Sequence, residues 1–547
     1  MAEDAIKKPT RKESFMQGVL TLMISQVLIK VLGLVYTLYL TNRHGYGDTG
    51  NAISSGAYQI YALLLTVSAI GVPNAISKLV SERSAIGDHK GAHRIFKIGF
   101  ATFAVIGLIG SLLLFFGAGY ISKYWLQIPE SEMTLVALSP AIFFVAISSV
   151  MRGYFNGRQS MRVTARSQSL EQVFKTVLTI ILVEVIAMIS GTSTEFMAAG
   201  ANLATTGATF LSFSYMFLYY RSIRSEVAEE ISQTVNYKYE RVWAIIKRIL
   251  QVSIPMALSS IMSSFNKNID SFTVVRGLKT FMSDADAKIQ YGILSGKVDT
   301  LTSLPLSINI AFATALVPAI AAAKAKKDVK TATKRTSFSL LVSMLIGLPC
   351  TIGMFIFSEQ ILNLLFPNAN QGVLILQISS FTIIFTILDQ TINGALQGFG
   401  KVMVPAIALG CGVLAKLVLN LVLVPIPGIG ANGAAIGSVV CHLVAFTIAI
   451  NVLRKNVKLE LPFSKFILKP IIATIIMAIC SYFVFMVLNG IMAEKMATIL
   501  AMIFAVIIYA IAIVALKIFT KEEIKIPASK APVFKAGKAL KDLVNKK

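Results

Sequence analysis

Apolar residues along this 547-residue chain come in runs of 22 to 28, separated by short polar connections. About 20 apolar residues in a helix, at ~1.5 Å each, cross a hydrocarbon layer about 30 Å thick. Fourteen spans are expected, at 15–41, 52–77, 95–119, 133–154, 167–190, 195–220, 243–265, 290–317, 336–358, 371–397, 402–424, 431–453, 465–489 and 494–518. Backbone polar groups in lipid must be satisfied within their own segment, so the spans are predicted to be helices and the fold an all-α polytopic membrane protein. The longest connection, 221–248, has mixed charge at helical spacing and is predicted to lie on the membrane as an amphipathic piece. Phe15–Leu40 is too long for a signal-peptide core and no small-residue cleavage site follows it, so it is expected to remain as the first helix.

The pattern repeats. Residues 151–183 align without gaps to 392–424 at an offset of 241, placing Gly153 on Gly394, Gly157 on Gly398, Val163 on Val404 and Lys175 on Lys416. Val72-Pro73 also falls on Val317-Pro318, at an offset of 245. Each repeat holds six spans, so both enter the membrane in the same sense. The expected architecture is two six-helix lobes related by a pseudo-twofold axis along the membrane normal, plus two extra C-terminal helices. The expected divisions are an N-lobe at 1–220, a cytoplasmic linker at 221–242, a C-lobe at 243–453, helices 13 and 14 at 454–518, and a basic cytoplasmic tail at 519–547.

Charge orients the array. With residues near a span end counted in the adjoining connection, the 51 Lys+Arg divide into 40 in even-numbered connections and tails and 7 in the other loops. The remaining 4 lie within spans (Lys30, Lys175, Lys297, Lys416). Basic residues mark the cytoplasmic side, so both termini are expected in the cytoplasm of a bacterial plasma-membrane protein. The net charge of +24 thereby finds its partner in anionic lipid headgroups, and nucleic acid is not an expected partner. A mean hydropathy of +0.72 argues against a soluble protein. The four cysteines all fall in apolar spans without CxxC pairing, so no disulfide framework, metal site or cofactor is indicated.

Polar residues inside spans are costly and usually face a cavity. In span 1, Gln26, Lys30, Gly33 and Thr37 form one stripe at i, i+4, i+7, i+11. Ser253, Ser260, Ser264 and Lys267 form a second in span 7, leading to Asp270 and Arg276, and span 8 carries Lys297 and Asp299. Spans 1 and 7 open the two repeats, so their stripes are expected to face each other across a cationic cavity suited to a polyanion. Lys267 and Arg276 also have the alternative of snorkelling to the outer interface. Glu171 and Lys175 make an i, i+4 pair in span 5, with Lys416 as the counterpart in span 11 and Asp389 and Asn393 in span 10. These four charges are candidates either for lobe-internal pairing or for binding a substrate or coupling ion, whose identity is open. No Gly-rich phosphate loop or paired-carboxylate motif occurs on a soluble face, which speaks against ATP-driven transport and against an enzyme.

The segments AIGVPNAISKLVSE (69–82) and RGYFNG (152–157) resemble the polysaccharide-export branch of the MOP exporter superfamily, in its stage V sporulation protein B/YtgP group, related to the MurJ lipid II flippases. The resemblance covers essentially the whole chain. It implies a non-enzymatic flippase for undecaprenyl-diphosphate-linked glycans, lipid II being the expected cargo, working by alternating access beside cell-wall synthesis proteins. Lys30-Val31-Leu32-Gly33 matches a family motif that has arginine at its first position. A second family arginine falls on Tyr36 and its neighbouring aspartate on Thr37. A basic helix-2 motif falls on Pro73, Asn74, Ser77, Lys78 and Glu82, and an A-D-R element falls on Val298, Asp299 and Thr300. The implied site is therefore cationic through lysines, with Lys297 standing in for a missing charge. Two rivals stay open: a cation-coupled drug exporter of the same superfamily, which predicts an acidic cavity, and a membrane-embedded glycan polymerase or glycosyltransferase, which predicts a large catalytic outer loop for which only 266–289 is available.

Overall fold

The computed structural model describes residues 15–518 except 70, 159, 192, 235, 236, 238, 326, 327, 458 and 460; some described helix residues, Gln26 and Lys30 among them, have no described side chain. The first half of the chain folds as α1 (Phe15–Asn42), α2 (Gly47–Ala69), α3 (Val72–Ala85), α4 (His89–Tyr120), α5 (Glu132–Gly157), α6 (Met161–Ser190) and α7 (Thr194–Ser222). A short α8 (Arg224–Ser232) follows, then α9 (Val242–Leu278), α10 (Asp284–Gly292), a π-helical turn (Ile293–Val298), α11 (Asp299–Ala325) and α12 (Val329–Ile356). The chain continues through α13 (Ser358–Leu365), α14 (Val373–Gly398), α15 (Val404–Leu423), α16 (Ala431–Asn456), α17 (Lys469–Asn489) and α18 (Glu494–Ala515). The fold is all-helical, as the apolar runs predict. Nine described helices are individually long and apolar enough to cross a membrane; the other five expected spans fall on α1, α2–α3, α7, α9 and α10–α11.

Local chemistry sets the helix boundaries. Asp88 caps α4 by accepting from the Gly91 amide, and Asp328 caps α12 by accepting from Thr331. The expected span at 52–77 is in fact broken. Gly71 sits at φ 95° and Pro73 falls in the first turn of α3, where its missing N–H costs nothing. A Cβ at Gly71 would stand 2.6 Å from the Ser253 carbonyl oxygen, so the break also lets α3 approach α9. Span 7 is longer than expected: α9 runs on to Leu278 and α10 follows at once, so 266–289 is mostly helix. The connection 221–248 contributes α8, which packs on the protein. Val227 is buried against the ends of α4 and α7, and Glu230 pairs with Arg158 at 2.6 Å.

The duplication is visible in packing. Gly157 lets α5 approach Ser77 and Val80 of α3, and Gly398 lets α14 approach Val317 and Ile320 of α11. Those partners are 240 apart (317 − 77 and 320 − 80), close to the glycine offset of 241. The Val-Pro match at 245 therefore does not follow the spatial equivalence and is coincidental.

Two ends of the bundle differ. At the end carrying α10, one apolar core crosses between the helices of the two repeats, joining Leu40, Ile53 and Leu126 to Val274, Leu294, Phe366 and Val424. At the opposite end, which carries α8, there are two separate cores. One centres on Ile76, Phe96 and Tyr154, and the other on Ile320, Ile392 and Leu453. The repeats thus share one core at the α10 end and have separate cores at the linker end, where the start of α9 (Ile245, Ile249) packs into the first repeat's core.

Candidate functional site

Two cavities meet inside the bundle. The larger, about 540 Å³, lies among α2, α3, α5, α6 and α7 and is lined by Asn74, Arg152, Asn156, Glu171, Lys175 and Thr205, with Tyr58 and Tyr61. It reaches toward the linker end, where Asn156 ends α5 and Thr164 begins α6. The smaller, about 260 Å³, lies between the repeats: Tyr36 and Thr37 of α1, Asn51 and Tyr58 of α2, Lys267 of α9, and Asp299 and Thr300 of α11 line it. Tyr58 and Lys175 belong to both linings, so the two cavities adjoin at that pair.

Lys175 is placed differently from the i, i+4 expectation. Its ammonium lies 5.1 Å from the Tyr36 ring centroid and 4.8 Å from that of Tyr58. Among the described residues no carboxylate lies within ion-pair distance of it. Glu171 does not pair with Lys175, because Arg152 claims it at 2.6 Å; that guanidinium also donates to Ser167 and Ser212. The two repeats therefore treat equivalent lysines oppositely. Lys416 is buried, donating to Asp270 Oδ2 at 2.6 Å and to the Asn266 carbonyl at 2.9 Å, while Asn420 supplies the other carboxylate oxygen with a donor.

Four other expected cavity residues stand elsewhere. Asp270 is turned into this pair with Lys416 and does not line the cavity. Lys297 is fully buried and locks the α10 end, donating to Asp48 Oδ2 at 2.9 Å and to the carbonyls of Ala369 and Gln371. It lies two helical positions from Asp299, roughly 200° around the axis, which is why one faces the seal and the other the cavity. Arg276 is exposed, lines neither cavity and donates to the Tyr124 carbonyl at 2.8 Å. Lys78 is exposed midway along α3, 4.0 Å from Glu82, and lines neither cavity. Asn74, Tyr36, Lys267 and Asp299 do line the cavities. The side chains of Gln26 and Lys30 lie outside the described residues. Asp389 is buried, and neither Lys416 nor any other described group bonds its Oδ1. Asp48, Arg152 and Tyr58 escaped sequence reading; only Arg152 carried a signal, inside the RGYFNG segment.

The seal at the α10 end is polar as well as apolar. Lys279 donates to the Gln127 carbonyl at 2.8 Å, and Lys288 bridges Glu130 and Asp284, each at 2.6 Å. Burial opposes the charge on Lys288, but its hydrogen bonds to Asp284 and Glu130 outweigh burial and hold its pKa above the ordinary lysine value. A Cβ at Gly292 would stand 1.8 Å from the Asp48 carbonyl oxygen, so α2 and α10 close on each other only because Gly292 has no side chain.

Helical repeats around a shared polar cavity, sealed at one end, define a membrane transporter of the MOP superfamily. The chain belongs to the polysaccharide biosynthesis protein family, whose model matches residues 15–324; a MatE model matches 296–422. Stage V sporulation protein B of Bacillus subtilis (strain 168) is 27% identical over 78% of this chain and 81% of its own length. Lipid II flippase MurJ of the same organism is 22% identical over 81% and 82%. Among solved structures, lipid II flippase MurJ in an inward closed conformation superposes with a TM-score of 0.68 at 15% identity, covering 91% of this chain and 99% of that one. An inward-facing multidrug resistance MATE family transporter gives 0.64 at 15% identity, covering 80% and 98%. A bacterial DNA-binding protein model matches 512–545, for the most part in the tail outside the described residues.

Proposed function

We propose that this protein is a lipid-linked oligosaccharide flippase that moves an undecaprenyl-diphosphate-linked glycan, in the first instance lipid II, from the inner to the outer leaflet by alternating access. The observation that carries this reading is the pair of adjoining cavities lined by Lys175 and Lys267. The cavity's charges are three basic (Arg152, Lys175, Lys267) against two acidic (Glu171, Asp299), and Arg152 and Glu171 cancel each other. That balance suits an anionic headgroup and disfavours the drug-exporter alternative. The enzyme alternative loses its loop, since 266–289 is mostly helix. The lipid II flippase among the relatives supports the cargo.

In this reading both termini and the linker end face the cytoplasm, the proposed lobes are 1–220 and 243–453, and the α10 end faces outward. The seal then holds the transporter closed to the outside. The diphosphate sits near Lys175 and Lys267 while the polyprenyl chain stays in lipid, beside the exposed apolar faces of α17 and α18 (Ile479, Phe483, Val506, Val514). An anionic headgroup moving outward gains about 2.3 kcal/mol per charge per 100 mV of inside-negative potential. Reconstituted protein is expected to transfer a fluorescent undecaprenyl-diphosphate glycan faster when such a potential is imposed. No transfer at any potential would end the reading.

Opening follows from the seal. Gly292→Val is expected to part α2 from α10, and a cysteine at Ser295 in the cavity wall should then react several-fold faster with an impermeant maleimide added outside cells. Unchanged labelling would mean that this contact does not control access.

A further inference from the structure

Once Lys175 and Lys267 are assigned to an anion, the larger cavity still has polar groups to spare. Arg152 inside it is no free anion site: Glu171, Ser167 and Ser212 hold its guanidinium. The rest of the wall is uncharged, with the amides of Asn74, Asn156 and Gln172 beside the rings of Tyr58 and Tyr61. Thr205 lines the same space, is 5% exposed, and its hydroxyl has no hydrogen-bond partner among the described residues. A buried hydroxyl without a partner loses its hydration for nothing unless a ligand supplies the bond. Amides both donate and accept, as the vicinal hydroxyls of a sugar require, and an aromatic face covers the apolar C–H face of a pyranose ring. A volume of about 540 Å³ is in the range of small-molecule sites.

We propose that the cavity among α2, α3, α5, α6 and α7 is a glycan subsite that takes uncharged pyranose rings, while the attached diphosphate rests at Lys175 and Lys267. This rests on the flippase reading and adds to it: one repeat reads the sugar, and the junction of the cavities reads the charge. Selection for a glycosylated lipid over the bare carrier would then come from the N-terminal repeat alone.

The test compares two probes on the purified full-length protein in nanodiscs: undecaprenyl diphosphate, and the same lipid bearing a neutral N-acetylhexosamine disaccharide. Two or three hydrogen bonds to the sugar predict at least about tenfold tighter binding of the second. Thr205→Val with Gln172→Met should bring that ratio to about one while leaving affinity for the bare diphosphate unchanged. Should that pair fold poorly, Asn74→Ala at an exposed position should lower the ratio alone. Equal binding of both probes by the unaltered protein, or a ratio that survives the substitutions, overturns the subsite while leaving the flippase reading standing. Binding of neither probe overturns both.

Discussion

Lys175→Gln is expected to reduce headgroup transfer by about 10- to 100-fold in proteoliposomes, with the protein folded and inserted normally. A hydrogen bond to a charged group contributes about 1.5–3 kcal/mol, and each 1.4 kcal/mol is tenfold. The position is suited to that role because the Tyr36 and Tyr58 rings lie 5.1 and 4.8 Å from the ammonium and no carboxylate among the described residues forms an ion pair with it. Removing the charge strands no counterion, so folding should be little affected. Lys175→Arg should retain part of the activity, since the charge remains but its planar fork replaces a point charge. Transfer at the unaltered rate by Lys175→Gln would remove this lysine from the mechanism.

The equivalent lysine of the second repeat should behave in the opposite way. Asp270→Asn leaves Lys416 buried without its counterion, and breaking such a pair from one side costs about 3–5 kcal/mol. A large drop in thermal midpoint is therefore expected. Asp270→Asn combined with Lys416→Met should recover most of it, because both charges leave together. A double-mutant cycle on thermal unfolding measures this coupling. A stable Asp270→Asn single variant would show that the pair does not hold α9 to α15. Retained transfer by the double variant is expected as well, since neither residue lines the cavity.

These opposite expectations mark what the sequence could convey. Apolar periodicity and the placement of lysines carry the helical array, the duplication and the short list of intramembrane cations, because those depend on each segment's own chemistry. Which cation is neutralised depends on segments far apart in the chain. Asp48 meets Lys297 across 249 residues and Asp270 meets Lys416 across 146. The repeat makes Lys175 and Lys416 equivalent, and only the third dimension supplies Asp270 to Lys416 and aromatic rings to Lys175. The i, i+4 spacing of Glu171 and Lys175 was a sound local rule overridden by Arg152 from a neighbouring helix. The break at Gly71-Val72-Pro73 was legible in residue type, yet a continuous apolar run masked it.

The central claim is that cargo leaves through the cavity between the repeats when the α10 end parts. Glu130 and Lys288 face each other across that junction, their side chains meeting at 2.6 Å. With the four native cysteines replaced, Glu130→Cys and Lys288→Cys should be joined by a short reducible bis-methanethiosulfonate linker that pins the seal shut. Transfer of the fluorescent glycolipid should stop in the cross-linked protein and return on reduction. Undiminished transfer with the cross-link intact would contradict the account.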